Sequence, residues 1–406
     1  MFSFFKNIYH YTLALLGSIF YGRPSRKLFV IGVTGTKGKS TTAELINAIL
    51  EAAGKKTALI SSVRFKVGDE SVKNATSMTM PGRFFIQSLL RRAVNKGCEY
   101  AIIEVTSQGT LQHRHRFIDW DAAMFLNLHK EHIEAHGSFD KYRNAKLEFF
   151  RYAAKDSRKA KKLFIINEED PAREYFANLV AGAGRTIYFS REDFIEKKLD
   201  NGRDSVSDWI GNSFNLENAA AATAFAESQG IGWDKIHKTL ENFKGVPGRM
   251  EIIQTEPFRV IVDYAHTPDS LEKLYRGLSE DKNKTKKLIC VLGAAGGGRD
   301  KWKRPVMGES AARYCREIFL TNEDPYDEDP EQILADIKSG VLNSKFPISN
   351  LHVVLDRREA IHKAIRSAKK GDTVIITGKG SESWLHIAGG KAIPWDERGI
   401  VEEELK

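Results

Sequence analysis

The chain has 406 residues, 42% hydrophobic and 28% charged, which is too long for one ordinary core and matches the composition of a soluble globular protein. A formal net charge of +9 suits an acidic partner: a nucleotide, a phosphorylated substrate, a nucleic acid or an anionic membrane. No dense Lys/Arg block dominates, and Lys155–Lys162 (KDSRKAKK) reads as a solvated linker, so nucleic acid is not expected as a partner. Cys98, Cys290 and Cys315 are far apart and form no CxxC pair, which argues against a disulfide framework or a cysteine zinc ribbon and fits a reducing cytoplasm.

The N-terminus, MFSFFKNIYHYTLALLGSIFYGRPSRK, holds an uncharged run from Asn7 to Gly22. That run is shorter than the ~20 apolar residues of a membrane span, and no small-x-small cleavage site follows it. Two expectations remain open: an interfacial helix in peripheral membrane contact, or a helix packed on the protein itself.

KLFVIGVTG is β-branched and apolar and ends in glycine, which predicts a buried strand, followed by a helix over Ser40–Ala53. Further strands are expected at Thr57–Ser61, Tyr100–Val105, Ala122–Asn127 and Leu163–Asn167, with helices at Arg83–Asn95 and Phe139–Ala153. This alternation implies a mainly parallel α/β sheet covered by helices. A linking region, Ala181–Gly211, precedes an Ala-rich helix at Leu216–Ser228. After the turn residues Gly245–Met250 a second α/β series follows, with strands at Arg259–Asp263, Lys287–Leu292, Ile318–Thr321, His352–Leu355 and Thr373–Thr377. The expected division is an apolar segment 1–26, a central P-loop-type domain 27–247 and a Rossmann-like domain 248–406.

VTGTKGKSTT (Val33–Thr42) looks like a phosphate loop with a displaced glycine, at Gly35 rather than at Val33. The stretch Gly35-Thr36-Lys37-Gly38-Lys39-Ser40-Thr41 stands between a strand and a helix, where backbone N–H groups converge on anionic oxygens. Lys39 would neutralise the β/γ-phosphates and Ser40 would reach Mg²⁺. Glu104 ends an apolar strand, where a carboxylate is costly unless used, and both lie where open α/β sheets collect ligands. His129, His132 and His136 follow another strand; His132 and His136 have zinc-like spacing, but oxygen chemistry fits better. Lys146, on an amphipathic helix, reads by default as a solvated surface residue.

GTKGKSTT, EVTSQ, NLHKEHIEAHGSFDKYRNAK, FNLENAAAA, PGRME, VDYAHTPDSLEKL, GGRDKWKRPVMGE and GKGSE together resemble the Mur ligase family from about Lys27 to the C-terminus. Their order and spacing are closest to the MurE type, which adds the third stem-peptide residue to a UDP-N-acetylmuramoyl dipeptide. In that family Gly-Thr-x-Gly-Lys-Ser/Thr is the normal loop. The resemblance implies ATP-dependent amide bond formation through an acyl phosphate, in peptidoglycan precursor synthesis. It implies one Mg²⁺ held by Ser40 and Glu104, a second by Glu104 and His132, and a carbamylated Lys146 that helps orient it. Asn215 and Asn218 match adenine-side asparagines, Arg249 the arginine that approaches the γ-phosphate, and Asp263 and His266 nucleotide contacts. Lys39, Glu104, His132, Lys146 and Arg249 are thus the candidate catalytic residues. Thr79, Ser107, Gln112, Arg114, Arg299, Asp324, Tyr326, Gly378 and Glu382 fall on substrate-side motifs. An amino acid and a carboxylate-bearing cell-wall precursor are the implied partners.

Three departures from the family follow. Only the segment up to Arg26 precedes the loop strand, where family members carry a UDP-holding domain; this chain is expected to lack it. Asp-Asn-Pro-Arg appears as Glu323-Asp324-Pro325-Tyr326, which removes the arginine that reads the distal carboxylate of meso-diaminopimelate and makes lysine an alternative. Gly-Lys-Gly-His-Glu becomes Gly378-Lys379-Gly380-Ser381-Glu382, and Gln108 replaces a histidine. The rival expectations are an amide ligase for a lipid-linked or folylpolyglutamate-type acceptor, and a non-catalytic ATP-binding scaffold at the membrane. The lack of a four-cysteine cluster argues against the amidating branch.

Overall fold

The computed structural model describes residues 2–76, 78–129, 131, 136–199, 206–207, 209–210, 213–280 and 285–406. Two compact units divide the chain, Met1–Lys244 and Gly245–Lys406. In the first, helix α1 (Phe2–Phe20) leads into strand β1 (Phe29–Thr34) and helix α2 (Lys39–Ala52). Strands β2 (Thr57–Ile60), β3 (Arg64–Val67) and β4 (Glu70–Lys73), helix α3 (Arg83–Asn95) and β5 (Tyr100–Glu104) follow. Then come α4 (Ser107–Leu111), β6 (Ala122–Phe125), α5 (Phe139–Lys155), β7 (Leu163–Asn167) and α6 (Arg173–Val180). The region ends with β8 (Arg185–Phe189), α7 (Arg191–Lys198), α8 (Ser213–Ser228) and α9 (Trp233–Glu241).

The eight strands are ordered β4-β3-β2-β5-β1-β6-β7-β8. β1 is almost wholly buried, as its apolar sequence requires for a strand covered on both faces, and it pairs in parallel with β5 and β6. From β1 the chain turns toward β2 on one side; from β5 it crosses β1 to reach β6 on the other. The crevice where such connections part is where open α/β sheets bind ligands. Val33 stands opposite Glu104 in register, which puts the loop after β1 beside that carboxylate. The core beneath includes Val30, Ile103, Phe125, Phe149 and Phe164. Thr106 and Ser138 cap α4 and α5 by accepting from Gly109 N and Lys141 N.

The stretch expected as a link, Ala181–Gly211, holds β8 and α7 instead. β8 is a largely exposed edge strand and α7 is charged along most of its length (REDFIEKK), so neither carries a strong apolar period.

The second unit runs β9 (Glu251–Gln254), β10 (Arg259–Asp263), α10 (Pro268–Glu280), β11 (Leu288–Leu292), α11 (Lys303–Tyr314) and β12 (Glu317–Leu320). It continues through α12 (Pro330–Asn343), β13 (Leu351–Val353), α13 (Arg357–Ser367), β14 (Thr373–Thr377), β15 (Trp384–Ile387), β16 (Lys391–Pro394) and α14 (Glu397–Glu404). Six strands form one sheet, β13-β12-β11-β14-β10-β9, parallel except for β9, and β15–β16 form a hairpin. Cys290 on β11 and Cys315 before β12 form a disulfide, Cα–Cα 6.1 Å. The expectation against a disulfide framework, drawn from the separation of the cysteines in sequence, is therefore corrected: positions 25 apart meet because β11 and β12 are neighbours.

Candidate active site

Gly38 stands at the N-cap of α2 with φ 80°, a left-handed conformation that favours glycine, and an added Cβ would overlap Asn218 Oδ1. A Cβ at Gly35 would lie 2.9 Å from Leu126 Cβ and 3.3 Å from Asn127 N. Asn127 Oδ1 accepts from the backbone N–H of Thr36 (3.1 Å) and Lys37 (2.9 Å), which fixes the turn. Lys39 Nζ donates to Gly35 O and Thr36 O, each at 3.0 Å. Lys37 pairs with Glu131 (2.6 Å), and Thr36 Oγ1 meets the Tyr142 hydroxyl (3.1 Å). Thr41 is buried in the first turn of α2.

Ser40 Oγ donates to Glu104 Oε2 at 3.1 Å and lies 2.7 Å from Ser62 Oγ. Ser62 N donates to Glu104 Oε1 (2.8 Å). Glu104 is 1% exposed, so these bonds offset much of the cost of placing a carboxylate there. Ser62 carries no sequence signal; it arrives because β2 ends beside β5. Asn127, the last residue of the expected strand Ala122–Asn127, was likewise not singled out.

Lys146 is 2% exposed, which overturns its reading as a surface lysine. Its Nζ donates to Gly35 O (2.7 Å), and burial, then Lys39, hold its pKa well below the ordinary lysine range. His136 Nε2 lies 3.1 Å from Ser107 Oγ, and burial, then Lys146, lower its pKa. His132 lies outside the described residues. His129 donates its backbone N–H to Thr36 Oγ1 (3.0 Å). Asn218 Oδ1 accepts from Thr42 Oγ1 (3.2 Å), and Asn215 Nδ2 donates to Trp209 O (2.7 Å). Arg114 donates to Gln112 Oε1 (2.6 Å) and to Met80 O, while Thr79 is half-buried nearby in sequence.

The second unit gathers its own cluster where β10 and β14 end. Lys379 Nζ donates to Asp324 Oδ1 (2.8 Å), Asp324 Oδ2 (2.9 Å) and Glu382 Oε2 (2.6 Å). Tyr264 donates to Glu382 Oε1 (2.9 Å), and the Arg249 guanidinium stacks 4.1 Å from the Tyr264 ring centre. Asp263 accepts from Met250 N and Ala265 N, each at 2.7 Å, so it shapes the turns around Arg249. His266 Nδ1 is 2.7 Å from Tyr264 O. Tyr326 stacks on His386 (5.1 Å, 6°) and accepts from Arg299 Nη2 at 3.1 Å. Glu323, missed as a site residue, is buried against Arg357 and Lys379, and burial raises its pKa to about 7. Gly378 has φ 109°, and a Cβ there would overlap Glu323 Oε2.

The profile of the Mur ligase middle domain matches residues 33–226, and that of the Mur ligase glutamate ligase domain matches residues 248–380. The chain belongs to the Mur ligase family. It is 36% identical over 412 residues to the UDP-N-acetylmuramoyl-L-alanyl-D-glutamate–2,6-diaminopimelate ligase of Geobacillus kaustophilus (strain HTA426), covering 97% of this chain and 82% of that one. It is likewise 36% identical to the UDP-N-acetylmuramyl-tripeptide synthetase of a Roseiflexus species (strain RS-1), over 97% and 82% of the two chains. Among solved structures, a UDP-N-acetylmuramoyl-L-alanyl-D-glutamate–2,6-diaminopimelate ligase superposes with TM-score 0.58 at 28% identity, over 93% and 78% of the chains. A Mycobacterium tuberculosis folylpolyglutamate synthase complexed with ADP and AMPPCP shares the fold, with TM-score 0.70 at 16% identity over 90% and 92%.

This Mur ligase is an ATP-dependent enzyme that forms carbon–nitrogen bonds in peptidoglycan precursor synthesis. The family uses ATP and Mg²⁺. Among the described residues no group of three or more His, Cys, Asp or Glu gathers as a metal site. The Ser40 hydroxyl and Glu104 carboxylate do offer two hard oxygen donors at the loop, the kind of sparse protein shell that Mg²⁺ takes beside phosphates.

Proposed function

We propose that the protein is a MurE-type ligase that adds one amino acid to the carboxylate of a muramoyl-peptide acceptor in the cytoplasm. The observation that carries this reading is the hydrogen-bonded Ser40–Glu104 pair beside Lys39, at the sheet edge, in a chain so similar to named diaminopimelate ligases. Lys39 and the N–H groups at the start of α2 bind the ATP phosphates. A carboxylate oxygen of the acceptor attacks the γ-phosphorus; the bridging P–O bond breaks and its electron pair leaves with ADP. The amino group of the incoming residue attacks the acyl phosphate carbon, phosphate leaves with the C–O pair, and the ammonium loses a proton.

Ser40 and Glu104 would hold Mg²⁺, and Glu104 with His132 a second ion, supplying positive charge against the phosphates. The depressed pKa of Lys146 favours its neutral amine, the form that adds carbon dioxide to become a carbamate. Asn215 and Asn218 take the adenine side. Arg249 is assigned to the γ-phosphate, Asp263 and His266 to the nucleotide, and Thr79, Ser107, Gln112 and Arg114 to the acceptor. Asp324 and Glu382 orient the amino acid through Lys379, and Gly378 keeps the turn open.

The amino acid we assign is lysine. Tyr326 stands where the family arginine reads a distal carboxylate, and Arg299 already donates to Tyr326 and to Gly296 O (3.2 Å). Incubation with ATP, Mg²⁺, a UDP-muramoyl dipeptide and either lysine or meso-diaminopimelate should release phosphate fastest with lysine. Failure of every acceptor–amino acid pair to stimulate release above ATP alone would remove the ligase reading.

A further inference from the structure

Helix α1 is turned the opposite way from an ordinary amphipathic surface helix. Ala14, Gly17 and Ser18 are its buried side: Gly17 packs against Phe84 of α3, and Ser18 Oγ donates to Phe117 O (3.1 Å). Phe5, Ile8, Tyr9, Leu16, Ile19 and Phe20 face outward, with Phe5 62% and Phe20 75% exposed. At 100° per residue these six fall within one stripe about 120° wide, along a helix about 28 Å long. A surface helix ordinarily buries that stripe and exposes its small residues. Phe84 and Phe85, also partly exposed, extend the apolar surface onto α3.

The charged residues of the segment that carries the stripe have one sign, and of them Arg26 is paired with Asp119 (3.2 Å). No acidic residue occurs before Glu44, whereas Lys6, Arg23, Arg26 and Lys27 do. Burial, then Arg83, Arg114 and Lys6, lower the pKa of His10 on the same helix, so cations ring its N-terminal half as well. A second copy docked stripe to stripe would bring these cations against one another with no acid from the segment to offset them. An anionic lipid surface meets both demands, since it takes the apolar stripe at the headgroup boundary and attracts the cations beside it. No described helix is long and apolar enough to cross a membrane.

We infer that α1 is an in-plane membrane anchor that seats the first unit on anionic lipid. The anchor does not depend on the ligase chemistry, and its test needs no turnover. The intact chain, sedimented with phosphatidylglycerol vesicles and separately with phosphatidylcholine vesicles, should pellet with the former. Ile8→Glu combined with Leu16→Glu and Ile19→Glu changes only exposed positions and should cut the bound fraction roughly 10-fold or more. An unchanged circular dichroism spectrum and melting curve for the triple variant guard against misfolding. Equal pelleting of wild type and variant, no pelleting with phosphatidylglycerol, or a vesicle-free dimer abolished by the same substitutions would each overturn the proposal.

Discussion

The two units hold the lysines of their candidate sites by opposite means. At the sheet edge of the first, Lys39 and Lys146 both donate to the main-chain oxygen of Gly35, a neutral dipole. In the second, Lys379 is gripped by the carboxylates of Asp324 and Glu382, with Glu323 close by. A carbonyl dipole does not neutralise the Lys39 ammonium and does not offset the burial that depresses Lys146, whereas two carboxylates more than balance the charge of Lys379. On the proposed reading, the first cluster takes the anionic substrate and the second the amine.

The largest effect expected from this contrast is at Lys39. Lys39→Ala should lower acceptor-dependent phosphate release roughly 1,000-fold, as loss of a preorganised phosphoryl-transfer cation does. A fall shared by kcat and by nucleotide affinity, measured by steady-state kinetics and ADP titration, would place the cation where the comparison needs it.

Next comes the pH dependence of stability in the second unit. Glu323 titrates at about 7 when folded against an ordinary 4.5, so between those values the folded chain holds more protons than the unfolded one. Its contribution therefore falls as pH rises through that window and is level above it. Glu323→Gln should remove about 3 kcal/mol of that decline, read as urea denaturation at pH 5 and pH 8.

A smaller change is expected from Asp324→Asn, which strips one charge from the grip on Lys379. It should raise KM for the amino acid roughly 30-fold while leaving KM for ATP nearly unchanged. Equal losses for both substrates would blur the division of labour. The mildest test is Tyr326→Arg, expected to shift the lysine-to-diaminopimelate ratio of kcat/KM by roughly 10-fold toward the dicarboxylate.

Much of this was readable beforehand for a physical reason. Strands buried on both faces, such as Leu163–Asn167, Arg259–Asp263 and Thr373–Thr377, are continuous apolar runs, and their limits coincide with the sequence expectation. The phosphate loop was legible because close backbone approach demands glycine at fixed spacing. Ser62 was not, since its place beside Glu104 comes from strand pairing between distant segments. Lys146 misled for a related reason: one lysine on an amphipathic helix does not reveal whether it faces water or the sheet edge. Tyr326 shows both sides, because the substitution was plain in the sequence while its stacking on His386 needed the β15–β16 hairpin.

The Asn218 amide fills the space that a side chain at position 38 would take, and it bonds Thr42, 176 residues earlier in the chain. That distance has a consequence during synthesis. At about 5–20 residues per second, roughly 10–35 s pass between the emergence of Thr42 and that of Asn218. The loop is thus made well before the residue that braces it, and a nascent chain stalled before Asn218 would hold the loop without that helix.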